Sequence, residues 1–211
     1  MLEIVTDLIP SGRRNRPGYP LTGPRYITVH DTANPNRGAD ALAHARYLKG
    51  PEAAAKPVSW HFTVDDTRAV QHLPTNEVGW HAGDGPDGPG NRSSLGIEIC
   101  ENADGNRAQA EKNAAELIVQ LLQRFGLGVE AVVQHHRWTG KDCPHLLRAE
   151  GWDKFVAKVA DGLAAVSPAP APGNGTAPPN GTQLMAENAR MRAILGQIYQ
   201  LVKDYAPNGK G

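Results

Sequence analysis

Residues 95–125 read LGIEICENADGNRAQAEKNAAELIVQLLQRF, and two different apolar periods meet in this one stretch. The opening LGIEIC, 95–100, crowds apolar and β-branched residues into a short run that stops at charged and turn-forming residues, the pattern of a strand. Further on, Ala114, Leu117, Ile118, Leu121, Leu122 and Phe125 recur at threes and fours. That spacing gathers them on one face of a helix, and Gly126 just beyond is a stop signal. A strand followed by its covering helix is the building unit of an α/β fold.

The flanking sequence repeats the alternation. YITVH at 26–30 and WHFTV at 60–64 read as further strands, and DALAHARYLK at 40–49 reads as a helix with Gly50 as its C′ residue. A short apolar strand is expected at 131–134, then a helix over 152–166 with Phe155, Val156, Val159 and Leu163 on one side. The expected fold is α/β, a central mixed sheet flanked by helices.

After Val166 the composition changes. Residues 167–181, SPAPAPGNGTAPPNG, hold five Pro and three Gly and no large apolar side chain, so they cannot join a core and read as a linker. Beyond it, Leu184, Asn188, Met191, Leu195, Ile198, Val202 and Tyr205 follow a heptad seam over residues 182–211. Two readings of this separate amphipathic helix stay open: a coiled coil that makes the chain a homo-oligomer, or a solitary helix lying on the catalytic domain, since isolated helices of this length are marginal in water; a wall-targeting role is open as well. The domain boundary is therefore expected at 166, and chemistry belongs before it, where all eight His and all four Trp lie.

Composition excludes several classes. Lys plus Arg number 22 and Asp plus Glu 22, so the net charge is zero, which argues against nucleic acid as a partner. No run of eighteen apolar residues suggests a membrane span, and the start, MLEIVTDLIPSGRRNRPGYP, lacks the basic-then-apolar order of a secretory signal. The expected place of synthesis and accumulation is the cytoplasm. Two cysteines in such a chain, Cys100 and Cys143, are expected to stay reduced.

Three metal-binding side chains stand at informative places: His30 ends a strand, His135 follows one, and Cys143 lies eight residues after His135. Two imidazoles and a thiolate leave a fourth zinc corner open, while a lone His at a strand end reads equally well as a hydrogen-bonded structural group. Glu98 also has two readings, either a solvent-face residue alternating with Leu95, Ile97 and Ile99, or a carboxylate buried for a purpose.

Five blocks in order, YITVHDTAN, SWHFTVDD, GWHAGDG, NRSSLGIEICEN and VVQHHRWTGKDCP, resemble the zinc-dependent N-acetylmuramoyl-L-alanine amidases of the type 2 amidase and peptidoglycan-recognition-protein family. The likeness covers about residues 1–160 and is greatest to phage and prophage endolysins of Gram-positive hosts. It implies His30, His135 and Cys143 as zinc ligands. In the family pattern the ligand stands three residues before the aromatic and eight before the Cys, so the resemblance implies His135, three before Trp138 and eight before Cys143, rather than His136. On an extended strand, His136 would then point away.

The same resemblance implies Glu98 as general base and then acid, and Lys141 as a donor to the developing oxyanion. His61, Trp80, His81, Asn91 and Arg92 are the implied lining of the substrate cleft. The sequence departs from some relatives at Trp60, where they carry a catalytic Tyr; an indole N–H cannot serve as acid or base, which throws proton transfer onto Glu98. The implied activity is zinc-assisted cleavage of the amide between N-acetylmuramic acid and L-alanine in peptidoglycan, in an enzyme that lyses a host cell wall from within. A non-catalytic peptidoglycan-binding module on the same fold is the alternative, and such receptors typically lack the Cys ligand that this chain keeps.

Overall fold

Six strands and seven helices follow one another in the computed structural model, which describes residues 2–166. In chain order they are β1 (Glu3–Thr6), β2 (Tyr26–Asp31), α1 (Ala41–Lys49), α2 (Pro51–Ala54), β3 (Phe62–Val64), β4 (Arg68–Gln71) and α3 (Pro89–Ser93). Next come β5 (Ser94–Ile99), α4 (Arg107–Phe125), β6 (Val132–Gln134), α5 (His136–Thr139), α6 (His145–Glu150) and α7 (Trp152–Val166). The expected linker, 167–181, and the expected helix within 182–211 lie outside the described residues.

The strands form one sheet in the order β1-β4-β3-β5-β2-β6. All neighbours are parallel except β3 and β4, so the sheet is mixed, as the alternating pattern implied. One face is apolar. Ile27 and Val29 of β2 and Leu95, Ile97 and Ile99 of β5 are fully buried there with Ala114, Leu117, Ile118 and Leu122 of α4 and with Phe155 and Val159 of α7. The other face carries the alternate residues, Thr28, His30, Ser94, Gly96 and Glu98. Its polar groups are tied to one another: Thr28 Oγ1 donates to Ser94 Oγ at 2.7 Å and accepts from Trp138 Nε1 at 2.9 Å.

The helices begin and end where chemistry allows. Asp40 caps α1 by accepting from the Ala43 amide at 2.7 Å, and Asn106 caps α4 by accepting from Gln109 at 3.1 Å. Gly126 closes α4 in the left-handed region at φ 63°, where a side chain would be strained. Helix α4 starts seven residues before Ala114, because its first turns are polar and only the Asn106 cap marks them. Gly50 is not a left-handed C′ residue: its backbone is extended and it opens α2, whose first residue is Pro51. Strand β3 begins at Phe62 rather than Trp60, and Ala131 belongs to a short 3-10 turn before β6. Strands β1 and β4 carry no apolar run long enough to announce them, and β1 lies at the sheet edge with mostly exposed side chains.

Cys100 packs as a small apolar residue with Ala41, Ala45 and Val70, and both cysteines are free thiols. Among the described residues, no helix is long and apolar enough to cross a membrane.

Two further buried histidines flank β3 and β4: His61 directly precedes β3 and His72 directly follows β4. His61 accepts from the Gly96 amide at 3.0 Å and donates to the Glu77 carbonyl at 2.9 Å; His72 Nε2 lies 2.8 Å from Thr63 Oγ1. Burial lowers their pKa values to about 4 and about 3. An unfolded histidine titrates near ~6.5. Both states are neutral at higher pH, and only the unfolded state takes up these protons as the pH falls below that value. The stability these residues contribute is therefore present above pH ~6.5 and is lost as the pH falls toward their folded values, at up to about 1.4 kcal/mol per pH unit for each. Urea denaturation across this window should show the decline, and His72→Gln should flatten it by about one proton; an unchanged slope would show that His72 is not held neutral.

Candidate metal centre

Three neighbouring parallel strands, β5, β2 and β6, bring their carboxyl ends to one side of the sheet. Strand β2 delivers His30 there, and the β2–β5 register sets Glu98 directly opposite it. His135 follows the last residue of β6 but is not part of the strand. With φ −53° and ψ −37° it starts the turn into α5. That turn, rather than strand alternation, separates the adjacent histidines: His135 is buried and His136 exposed. The chain then loops back, and the His136 amide donates to the Cys143 carbonyl at 2.9 Å, holding Cys143 beneath the sheet end.

Behind this loop Asp31 acts as an anchor. Its buried carboxylate accepts from Arg107 Nη2 of α4 at 2.5 Å and from the Leu146 amide of α6 at 2.8 Å. The charged pair is about twice as strong as a neutral hydrogen bond. It ties the end of β2 to α4, while the Leu146 bond ties that strand end to the segment that carries Cys143.

His30, His135 and Cys143 bring one donor atom each within 4.8 Å of one another. Which atoms these are follows from the hydrogen bonds. His30 Nε2 lies 3.0 Å from His81 Nδ1, and His135 Nε2 lies 2.9 Å from the Ala82 carbonyl, so Nδ1 of each ring faces the trio. His30 Nδ1 stands 3.7 Å from Cys143 Sγ. A tetrahedral zinc with its usual bonds to nitrogen and sulfur needs an edge of about 3.6 Å there. His135 Nδ1 is buried with no hydrogen-bond partner, an arrangement that costs about 1–3 kcal/mol unless another group engages the atom. The donor set and its spacing fit a metal ion.

Electrostatics point the same way. Burial lowers the pKa of His30 and of His135, so both imidazoles stay neutral and keep a lone pair to donate. Burial, with the Glu98 carboxylate adding to it, pushes the Cys143 thiol up to about 12, whereas a coordinated dication takes that proton outright. Glu98 Oε1 lies 3.9 Å from His30 Nδ1, and Oε2 is buried without a hydrogen-bond partner. Burial pushes this carboxyl up to about 8, with the Lys141 ammonium pulling it back. Lys141 is exposed, and its charge also acts on His30, His135 and Cys143, which sets it at the rim of the trio.

The five residues expected to line a cleft are placed differently from one another. His61 is fully buried with both ring nitrogens bonded. His81 and Asn91 are buried as well, His81 against His30 and Asn91 accepting from the His81 and Ala82 amides. Arg92 is exposed but turned onto its own loop, donating to the Pro86 carbonyl at 2.6 Å and lying over the Tyr19 ring. Trp80 is half-buried, edge-on to Tyr19, and lines a hollow of about 390 Å³ with Pro57, Gly85, Pro86 and the expected cleft residue Asn91.

A second groove, of about 370 Å³, opens beside Glu98 and is lined by Thr32, Asn34, His44, Tyr47 and Trp60. Sequence reasoning passed over its first four residues. Thr32 and Asn34 stand in the same block as His30, and His44 and Tyr47 are three apart on α1, so adjacency to the ligand block was the available signal. Trp60 spends its only donor on Thr63 Oγ1 at 2.7 Å.

Comparison with known proteins agrees with this architecture. The pattern of the N-acetylmuramoyl-L-alanine amidase family matches residues 20–146. The N-acetylmuramoyl-L-alanine amidase XlyA of Bacillus subtilis (strain 168) is 56% identical over 162 residues, 77% of this chain and 52% of that protein, so the chain spans about half the length of this curated relative. The solved structure of the catalytic domain of XlyA superposes with a TM-score of 0.71 at 56% identity, over 75% of this chain and 99% of that one. A mutant endolysin from Bacillus subtilis gives a TM-score of 0.71 at 54% identity with the same coverage. With its sheet, its His-His-Cys trio and this match over most of residues 1–166, the chain belongs to the N-acetylmuramoyl-L-alanine amidase family.

Proposed function

We propose that residues 1–166 form a zinc amidase domain that hydrolyses the bond between the lactyl group of N-acetylmuramic acid and L-alanine in bacterial peptidoglycan. The observation that carries this reading is a trio of two imidazoles and one thiol set beside a buried carboxylate whose Oε2 has no hydrogen-bond partner. A closed structural zinc site has four protein ligands and no use for such a carboxylate. The name of XlyA as an amidase of this bond supports the same substrate.

His30, His135 and Cys143 would hold a zinc ion, which would supply Lewis acidity to lower the pKa of water to about 7 and polarise the scissile carbonyl. The remaining work falls to the chain's own side chains. Glu98 takes a proton at Oε2 from the attacking water and returns it to the leaving amide nitrogen. The Lys141 ammonium at the rim stabilises the negative charge that develops on the carbonyl oxygen. Trp60, with its indole N–H already bonded, shapes the groove wall and moves no proton. Glu98 and Lys141 together favour hydrolysis over bare recognition, since a binding module needs neither.

The endolysin resemblance supports lysis of a Gram-positive host as the setting, with accumulation in the cytoplasm before the wall is reached, and the zero net charge of the chain argues against a nucleic-acid partner. The heptad spacing over 184–205 supports self-association through the segment after the linker. Light scattering of the full chain should then read a dimer or larger, and a monomer would end that part of the proposal.

Mass spectrometry of a peptidoglycan digest tests the activity. Stem peptides with a free N-terminal alanine should appear, vanish with a chelator and return with added zinc. New termini inside the stem would make the chain a peptidase, and wall binding without release would leave only recognition. Cys143→Ser should lose metal and turnover together. Glu98→Gln should keep one zinc per chain while the rate drops by about 10²–10⁴-fold; an undiminished rate would remove Glu98 from the chemistry.

A further inference from the structure

We infer that the loop residues His81 and Ala82, pinned by Asn91, hold both histidine ligands in the one tautomer that can bind metal, so that His81 and Asn91 are positioning residues. This rests on the metal reading above and extends it to groups that do not touch the metal.

The argument is one of donors and acceptors. The Ser94 carbonyl lies 3.4 Å from His81 Nε2, and a carbonyl can only accept, so the neutral His81 ring carries its proton on Nε2. His81 Nδ1 is then a bare lone pair. Its partner at 3.0 Å, His30 Nε2, must donate to it, which leaves the lone pair of His30 on Nδ1, facing Cys143 Sγ and the trio. The second ligand is fixed from the next residue along: the Ala82 carbonyl accepts from His135 Nε2 at 2.9 Å, leaving the lone pair of that ring on Nδ1 as well. One dipeptide thus sets both rings, by a side chain on one side and a backbone oxygen on the other.

The dipeptide is itself held tightly. Asn91 Oδ1 accepts from the His81 amide and from the Ala82 amide, both at 2.9 Å, while its Nδ2 donates to the Gly85 carbonyl at 3.0 Å. Asp84 accepts from the Gly90 amide at 2.6 Å and clamps the same loop. Gly96 lets the His81 ring lie flush on β5, because a Cβ there would come within 2.6 Å of His81 Cγ. Gly83 turns the chain after Ala82 at φ 72°, a conformation that favours glycine. His81 is 8% exposed and Asn91 2%, and the Asn91 Oδ1 that holds the dipeptide is taken up by the two amides.

Asparagine at position 81 can present an oxygen near the place of the imidazole Nδ1, whereas leucine cannot. Zinc affinity, measured by competition with a chromogenic chelator on the full chain, should fall about 10–100-fold in His81→Leu and stay within about threefold of the parent in His81→Asn. A His81→Leu chain that binds zinc within twofold of the parent, or a His81→Asn chain as weak as the leucine variant, would overturn the inference. Asn91→Ala should weaken zinc binding too, with little further loss when combined with His81→Leu, since both act through one loop; full additivity would contradict this.

Nitrogen-15 NMR of the histidine rings in the parent chain tests the tautomers without any substitution. The expected result is a proton on Nε2 of His81, His30 and His135, and a proton on Nδ1 of His81 would overturn the inference. A parent chain that binds no zinc would instead remove the metal reading on which the inference rests, a failure that the parent titration alone reveals.

Discussion

The parallel pairing of β2 with β5 and β6 is the constraint on which the rest depends. Because β2 and β5 run the same way and in register, His30 is set against Glu98, and the edge strand β6 ends level with them so that His135 arrives at the same place. A one-residue slip of β2 would turn His30 toward α4 and bring Val29 out to the site, so the burial of Ile27 and Val29 against the helices also fixes the direction of His30. The stability of the apolar face and the geometry of the polar face are thus the same interaction viewed from two sides. Sites at the carboxyl ends of parallel strands are the general rule for open α/β sheets.

Placing so many polar groups on a buried sheet face has a cost, and the chain offsets it by pairing nearly all of them. Thr28 with Ser94, His61 with Gly96 and Glu77, and Asp31 with Arg107 are paired in this way, and few atoms among the described residues are left unsatisfied. Two of the exceptions, His135 Nδ1 and Glu98 Oε2, lie at the strand ends. Native proteins tolerate orphaned buried groups chiefly where a ligand or a reaction engages them. Asn15 Oδ1 and His72 Nδ1 are orphaned elsewhere, but the site is where orphaned atoms of a His and a Glu stand at the ends of neighbouring strands beside a buried thiol.

Much of this was legible in the sequence. The threes and fours from Ala114 to Phe125 gave α4, and the alternation in 95–99 gave a strand with Leu95, Ile97 and Ile99 inward. Less legible were β1 and β4, whose four residues each are stabilised by neighbours rather than by their own apolar content. The start of α4 was hidden because its first turns are polar and only Asn106 marks them. Around the candidate site, residue types and spacing named the groups, but not their directions. His136 turns outward because β6 stops at Gln134, a tertiary event that alternation does not foresee, and His61, His81 and Asn91 are turned inward by hydrogen bonds to distant backbone. The groove beside Glu98 is formed by α1 packing near the strand end, which no local pattern announces.

The central claim is that the sheet register assembles a metal centre of two Nδ1 imidazoles and one thiolate with room for a fourth, non-protein ligand. X-ray absorption at the zinc edge of the metal-loaded full chain tests it most directly. The account predicts one zinc per chain, with one sulfur at about 2.3 Å and two imidazoles at about 2.0–2.1 Å, joined by a single further oxygen. A zinc without sulfur in its shell, or one enclosed by four protein ligands, would contradict it.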